Sequence, residues 1–284
     1  MAFRRLLEHA LYPHTSLNFD KLALALKGKT ILLTGATSGI GEQLARQLAE
    51  VPVRLLLTGR REEKLYALQQ ELAAKPASVE VLAADLRQEN DRKRLIELMQ
   101  REPRGIDLLL SNAGHSIRRP ILESLGRLHD FERTMAIHYT APVALILAAL
   151  PYLQANGGHI VNVSTINVLL PPFPHWAAYQ ASKAAMDTWL RSAAPEFKAA
   201  GVRTSTIYLP LVRTPMIEPT AAYRNAPTMA ADQAARRILR MLYTHRKRVH
   251  PWWFRIVCPM AWLFHPAWAR SAVRKQKRFG EERS

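Results

Sequence analysis

The stretch that most restricts the fold is Thr30-Ile31-Leu32-Leu33, an apolar run followed at once by Thr34-Gly35-Ala36-Thr37-Ser38-Gly39-Ile40-Gly41 and then by the helical pattern of Glu42 to Glu50. A short branched run of this kind suits a strand buried on both faces of a parallel sheet. Glycines allow the backbone to turn tightly and to approach a ligand. The start of the following helix presents free N–H groups to negative charge. Strand, glycine turn and helix together form the context in which a loop cradles phosphates, and Ile40 between the last two glycines suits a helix packed close on the sheet.

The alternation continues. A second strand, Val53 to Thr58, ends at Gly59-Arg60-Arg61, and a helix follows over Glu62 to Ala74. A third strand, Val79 to Ala83, ends in Ala84-Asp85-Leu86, where a short acid can meet an adenine amine; a helix over Glu89 to Glu102 leads to a fourth strand, Ile106 to Leu110, ending in Ser111-Asn112-Ala113-Gly114. Four such cycles with right-handed crossovers predict an α/β fold of Rossmann type: a doubly wound parallel sheet of about seven strands, helices on both faces and the ligand at the C-terminal strand ends. Ile117 to Ala149 reads as mostly helix, His159 to Val163 as a fifth strand delivering Ser164-Thr165, and Val202 to Leu209 as a sixth strand that closes the sheet. In dinucleotide-binding folds an acid at the end of the second strand binds the ribose hydroxyls, whereas an arginine accommodates a 2′-phosphate. Arg60 with Arg61 therefore favours NADPH over NADH, the alternative being two solvated arginines that cap a strand.

Tyr179 and Lys183 stand four residues apart at the start of an alanine-rich segment, which puts both on one helix face. A phenol titrates near ~10 and exchanges protons poorly at neutral pH unless a nearby ammonium stabilises the phenolate. Lys183 can supply that charge; taken alone, the pair can equally be a ring covering an alkyl stem on a surface helix.

TGATSGIG, SNAG, a strand ending in Ser/Thr and YQASK occur in the order seen in short-chain dehydrogenases/reductases, and the chain resembles that family over about residues 28 to 250. Within it, NAGHSIRRPILES, RLHDFERTM and IYLPLVRTPMIEPT are similar to stretches of the bacterial fatty acyl-CoA reductases that form aldehydes. The resemblance implies Tyr179 as proton donor, Lys183 as the residue that lowers its pKa and binds the nicotinamide ribose, and Thr165 in the place of the catalytic serine, with Ser164 as a substitute. It assigns Gly35, Thr37, Ser38, Gly39, Ile40 and Gly41 to the pyrophosphate, Arg60 to the 2′-phosphate, Asp85 and Leu86 to the adenine, Asn112, Ala113 and Gly114 to the central ribose region, and Val212 and Thr214 to the nicotinamide end. Two positions depart from the pattern. His138 stands where the family has an asparagine that supports a water relay to Lys183, and Leu209-Pro210 replaces the usual Pro-Gly. His138 can hold a water, introduce a titration near neutral pH, or be a packed helix histidine without a chemical role.

These residues imply an NADPH-dependent enzyme that reduces a lipophilic carbonyl compound, a fatty acyl-CoA or a long-chain aldehyde. A ketone or steroid-like alcohol oxidoreductase and a weakly active NADPH-binding sensor or scaffold are the alternatives. Arg118, Arg119 or Arg213 could receive a polyanionic CoA or be surface charges. Relatives pair through helices around residues 130 and 190, which implies a homodimer or homotetramer.

Composition limits the rest. At 284 residues and 48% hydrophobic the chain can bury one large core, and one cysteine, Cys258, excludes an intramolecular disulfide. No metal site is expected, and a cytoplasmic location fits. Residues 1–27 read as a helical leader on the outside of a 28–245 core. Net charge is +17, and from Asp232 to Ser284 thirteen Lys/Arg stand against three Asp/Glu. The tail, 246–284, holds Trp252, Trp253, Trp262 and Trp268 between basic flanks. Its apolar part falls short of the ~20 residues that span a bilayer. An interfacial anchor on an anionic membrane, on its inner face, is the leading reading, ahead of a lid, a dimer contact or nucleic-acid binding, which is not expected.

Overall fold

The computed structural model describes residues 2–220 and 223–281. Helices α1 (Ala2–Leu11) and α2 (Phe19–Leu26) precede β1 (Thr30–Thr34), after which α3 (Gly39–Ala49), β2 (Arg54–Gly59), α4 (Glu62–Leu72), β3 (Ser78–Ala83), α5 (Glu89–Arg101) and β4 (Leu108–Ser111) alternate. Next come α6 (Leu128–Met135), a π turn (Ala136–Thr140), α7 (Ala141–Ala155), β5 (His159–Thr165), α8 (Ala177–Ala199) and β6 (Arg203–Leu209). The short β7 (Val212–Arg213) and β8 (Met229–Ala230) pair with each other; α9 (Ala231–Thr244), β9 (Arg248–Val249) and α10 (Phe254–Glu281) complete the chain. The main sheet runs β3-β2-β1-β4-β5-β6-β9, and every pairing in it is parallel. This is the expected Rossmann-type fold.

Alternation along the strands sorts side chains into two cores. Ile31, Leu33, Leu55 and Leu57 pack with Leu44, Leu48, Ile238 and Leu239 from α3 and α9. Leu32, Leu56 and Leu109 pack with Leu95, Leu145, Ile146 and Leu190 from α5, α7 and α8 on the opposite face. Because both faces are covered, the inner strands are continuous apolar runs without the polar alternation of a half-exposed sheet. Where the order reverses, between β1 and β4, neighbouring crossovers leave to opposite faces and a crevice opens at the strand ends.

Three features differ from the sequence reading. The sheet is closed by β9, not β6, so Arg248 and Val249, read as the start of the tail, form its edge. The leader also enters the core: Asn18 caps α2 by accepting from the Lys21 N–H at 2.8 Å, and Leu22 and Leu26 are buried in the α3/α9 core. The helix through His138 is not uniform, because Pro142 has no N–H to give to the carbonyl four residues earlier, and the chain widens into a π turn there. By length and composition, Leu128–Ala155 is the one helical stretch among the described residues that could cross a membrane, but Leu145, Ile146, Ala149 and Leu153 are fully buried core.

Leu22 is fully buried, whereas Leu24 on the same helix is 86% exposed. Leu22→Ala is expected to cost about 2–5 kcal/mol in urea unfolding, and Leu24→Ala about 0.5 kcal/mol or less. Equal, small losses from both would contradict an integral role for α2.

Candidate active site

The crevice is built first by the glycine loop. Gly35 has a left-handed φ of +75°, and a Cβ there would sit 2.9 Å from the Ala113 Cα. At Gly41 a Cβ would lie 2.0 Å from the Gly35 carbonyl oxygen, so any side chain would push α3 away from the loop. Gly41 therefore closes the packing from behind and does not line the cleft, whereas Gly35, Thr37, Ser38, Gly39 and Ile40 do. Ser38, the N-cap of α3, makes no side-chain cap, which leaves the helix start facing the cleft.

Asn112 fastens this loop to β4. Its Nδ2 donates to the carbonyls of Thr34 (3.0 Å) and Gly35 (3.3 Å), while the Asn112 and Ala113 N–H groups both donate to the Thr34 hydroxyl at 3.0 Å. With its amide spent on the loop, Asn112 contributes to the cleft chiefly by position. Ala113 and Gly114 line the cleft beside it.

At the end of the cleft beside β2 and β3 the two arginines after β2 divide. Arg61 donates to the Thr37 carbonyl at 3.0 Å and to the Thr37 hydroxyl at 3.1 Å, bracing the glycine loop. Arg60 is exposed on the cleft wall and has no hydrogen bond or ion pair among the described residues. Asp85 and Leu86 line the same end, and Arg87, which sequence reasoning missed, holds the Asp85 carboxylate through its Nε at 2.9 Å. Burial would raise the Asp85 pKa, but the Arg87 hydrogen bonds outweigh it and keep the carboxylate ionised.

At the other end, α8 brings in Tyr179 and Lys183. The helix is tied to β6 by the Tyr208 hydroxyl, which donates to Asp187 at 2.7 Å, and Asp187 also pairs with Arg191 at 3.0 Å. Lys183 donates to the Val163 carbonyl at 3.0 Å, and burial lowers its pKa from 10.5 to about 8. Burial raises the Tyr179 phenol to about 12, against the opposing effect of a hydrogen bond with Thr165, so the lowering that the resemblance implies for Lys183 is not what the buried pair shows. At neutral pH the phenol is therefore protonated and the amine carries most of its charge. Ser164 also lines the cleft, but its buried hydroxyl finds no partner among the described residues. Thr165, not Ser164, is thus the hydroxyl joined to Tyr179.

His138 differs from two of its sequence readings. Its Nε2 accepts from the His115 N–H at 3.0 Å, so Nδ1 carries the proton and donates to Ser182 Oγ at 2.8 Å; that hydroxyl donates in turn to the Tyr179 carbonyl at 2.9 Å. Both ring nitrogens are used, leaving none for a water. Burial, with Lys183 and His115 adding to it, holds the pKa well below 6.5, which removes a titration near neutral pH. The imidazole joins the loop after β4 to the base of α8 as a neutral packed group.

The end of the cleft around Tyr179 was only partly legible. Val212, Thr214, Leu209 and Pro210 line it, joined by Ile166, Asn167, Trp176, Met216, Ile217 and Tyr223. Trp176 and Tyr223 stack with centroids 5.8 Å apart, and Trp176 meets the Tyr179 ring edge-on at the same distance. The three-residue step from Trp176 to Tyr179 was an available signal; Tyr223 lies in an irregular loop with no periodicity to expose it. Of the three arginines considered for CoA, Arg119 and Arg213 are paired with Asp130 (3.1 Å) and Glu8 (2.9 Å). Arg118 has no ion pair among the described residues and is close enough to Tyr223 to oppose the burial that raises its phenol. Among the described residues, no group of His, Cys, Asp and Glu could hold a metal ion.

The short chain dehydrogenase family profile matches residues 29–225. A fatty acyl-CoA reductase of Mycobacterium tuberculosis (strain ATCC 25618 / H37Rv) is 40% identical over 227 residues, 80% of this chain and 77% of that one. A fatty acyl-CoA reductase of Acinetobacter baylyi (strain ATCC 33305 / BD413 / ADP1) is 37% identical over 79% of this chain and 76% of its own. Among solved structures, a short-chain dehydrogenase from Sphingobium yanoikuyae in complex with NADPH superposes with a TM-score of 0.73 at 24% identity, covering 89% of this chain and 95% of that one.

Burial keeps His138 neutral and lowers His159 to about 3, so below pH 6.5 an unfolded chain binds protons that the folded chain refuses. Stability is therefore expected to fall as pH falls through this range, by about 1 kcal/mol per pH unit for each histidine. Urea unfolding between pH 5 and 6.5 should give a shallower pH slope for His138→Asn than for the parent; identical slopes would contradict a neutral, buried His138.

Proposed function

Since the chain belongs to the short-chain dehydrogenase/reductase family and is an NAD(P)-dependent oxidoreductase, we propose that it uses NADPH to reduce a long-chain acyl thioester or aldehyde. The observation that carries this reading is one cleft with two contrasting ends: unpaired Arg60 at the adenosine end, and Trp176, Tyr223, Met216 and Ile217 around Tyr179 at the other. The relatives named as fatty acyl-CoA reductases support the substrate class.

The glycine turn, the uncapped start of α3 and the free guanidinium of Arg60 fit a phosphorylated dinucleotide. When bound, it supplies a hydride. The protein's part is to hold the carbonyl carbon within reach, aim donors at its oxygen and exclude water. Thr165 orients that oxygen, and the protonated phenol of Tyr179 gives it a proton as negative charge develops. Lys183 stabilises the phenolate left behind. An aldehyde becomes an alcohol in this one step; a thioester becomes a hemithioacetal, whose collapse breaks the carbon–sulfur bond and releases an aldehyde and a thiol. Arg118 is the candidate partner for the anionic end of a thioester carrier.

Three outcomes test the reading. Tyr179→Phe should lower turnover by about 10²–10⁴ while NADPH binding persists; unchanged turnover would remove the phenol from the reaction. The reduction rate should be level at neutral pH and fall above about 8 as Lys183 loses its proton. Arg118→Ala should raise KM for a long-chain acyl-CoA about fivefold and leave KM for the matching aldehyde alone. An equal rise for both would argue against thioester recognition at Arg118.

A further inference from the structure

Helix α10 presents a second surface that the chemistry of the cleft does not use. Phe254 is buried, and Cys258, Ala261, His265, Ala269 and Ala272 continue from it at three- and four-residue steps as a half-buried stripe. The outward side is apolar and open: Ile256, Met260, Leu263 and Phe264 are exposed, Leu263 to 70%. Trp252, Trp262 and Trp268 flank this stripe, each exposed. The chain has no Asp or Glu between Asp232 and Glu281, and Arg255, Arg270 and Arg274 on α10 are all exposed.

We propose that the outward face of α10 docks in the headgroup layer of an anionic membrane and that a lipophilic substrate enters the cleft from there. The docking follows from the surface alone; the entry route rests on the substrate reading above. An apolar stripe with basic neighbours and tryptophans at its margins matches a bilayer interface, where rings sit among headgroups and cations meet anionic lipid. The apolar stretch from Phe254 to Phe264 is too short to span, so the helix lies in the plane of the surface. Charge selects the membrane over a second copy of the chain. Basic residues stand at both ends of the stripe, so pairing two copies through it in either direction would bring like charges together.

The inner side of α10 connects this surface to the cleft. The Trp262 indole donates to the Leu169 carbonyl at 3.0 Å, the Cys258 thiol donates to the same oxygen at 3.4 Å, and the Trp268 ring meets Phe173 edge-on at 5.4 Å. Gln180 holds the other end of that loop, donating to the Asn167 carbonyl at 2.6 Å, and Ile166, Asn167 and Trp176 line the cleft. A helix bound to lipid therefore rests directly on the wall of the substrate end.

Flotation of the full chain with phosphatidylcholine vesicles, with and without phosphatidylglycerol, tests the docking. The parent should float with the anionic vesicles and dissociate as salt is raised. Met260→Glu/Leu263→Glu should bind about tenfold more weakly, and Arg270→Glu/Arg274→Glu should lose the preference for anionic lipid. Both variants should keep parental circular dichroism and turnover of a short, water-soluble aldehyde, while turnover of a long-chain aldehyde held in vesicles falls several-fold. Tyr179→Phe should float like the parent, which separates docking from catalysis. A parent that ignores anionic vesicles overturns the proposal, as does a Met260→Glu/Leu263→Glu variant that floats equally well. A lower mass in light scattering for that variant, with no flotation of the parent, would assign the face to self-association instead. Flotation without turnover of any long-chain carbonyl supports the docking and overturns the entry route together with the substrate reading.

Discussion

The site depends on the contact between Gly41 and the Gly35 carbonyl, reinforced by Asn112. Only a residue without a Cβ lets α3 start this close to the loop that leaves β1, and only that closeness leaves the helix N-terminus facing the crevice. Asn112 carries the same constraint across the switch point, because its amide holds the Thr34 and Gly35 carbonyls while the Thr34 hydroxyl receives two backbone N–H groups from the other side. The two halves of the sheet are thus joined where their crossovers diverge. The end of the cleft at the start of α3 and the strand ends beyond it are set by one polar joint.

Burial then shapes the other end. Withdrawing Tyr179 and Lys183 from water moves their pKa values apart, the phenol up to about 12 and the amine down to about 8. Both shifts favour the neutral form of each group, and at neutral pH they leave a protonated donor beside a charged amine. That arrangement suits the direction in which a proton is given to a developing alkoxide. The opposite direction starts from a phenolate, which the same burial disfavours. His138 takes no part in this titration: a packed imidazole with both nitrogens occupied positions the loop after β4 relative to α8.

The sheet, the glycine loop and the Tyr179/Lys183 pair were legible because each rests on a local rule: apolar runs for buried strands, glycine where a side chain cannot fit, four-residue spacing on a helix. Four things were not, and each depends on residues distant in sequence. The burial of Leu22 needs α9, more than two hundred residues further on. The two-residue β9 is too short for periodicity to register, and it becomes a strand only because Thr206 and Ile207 are there to pair with it. The division between Arg60 and Arg61 follows from Thr37 lying within reach of only one of them. Tyr223 joins the cleft by stacking on Trp176, which nothing in its own neighbourhood announces.

The large positive charge also resolves into two populations once partners are assigned. Arginines that meet buried or half-buried acids form the frame: Arg119, Arg127 and Arg133 surround Asp130, Arg191 meets Asp187, and Arg4 and Arg213 hold Glu8. Burial would raise the Glu8 carboxyl, yet the Thr228 backbone N–H, Arg4, the Thr228 hydroxyl and Arg213 together hold it at about 2. This cluster ties α1 to the segment between β7 and α9, next to Val212 and Thr214 in the cleft. Drawing those cations away together would leave Asp130, Asp187 and Glu8 uncompensated. Among the arginines that meet no acid, a few stand where an anion can reach them: Arg60 on the cleft wall after β2, Arg118 beside Tyr223, and Arg255, Arg270 and Arg274 on the exposed side of α10. Net charge alone indicates only that anions are welcome. Its division into paired and unpaired arginines shows which cations the frame already uses, and the contacts proposed above, with a cofactor phosphate, an acyl carrier and a membrane surface, all draw on cations outside it.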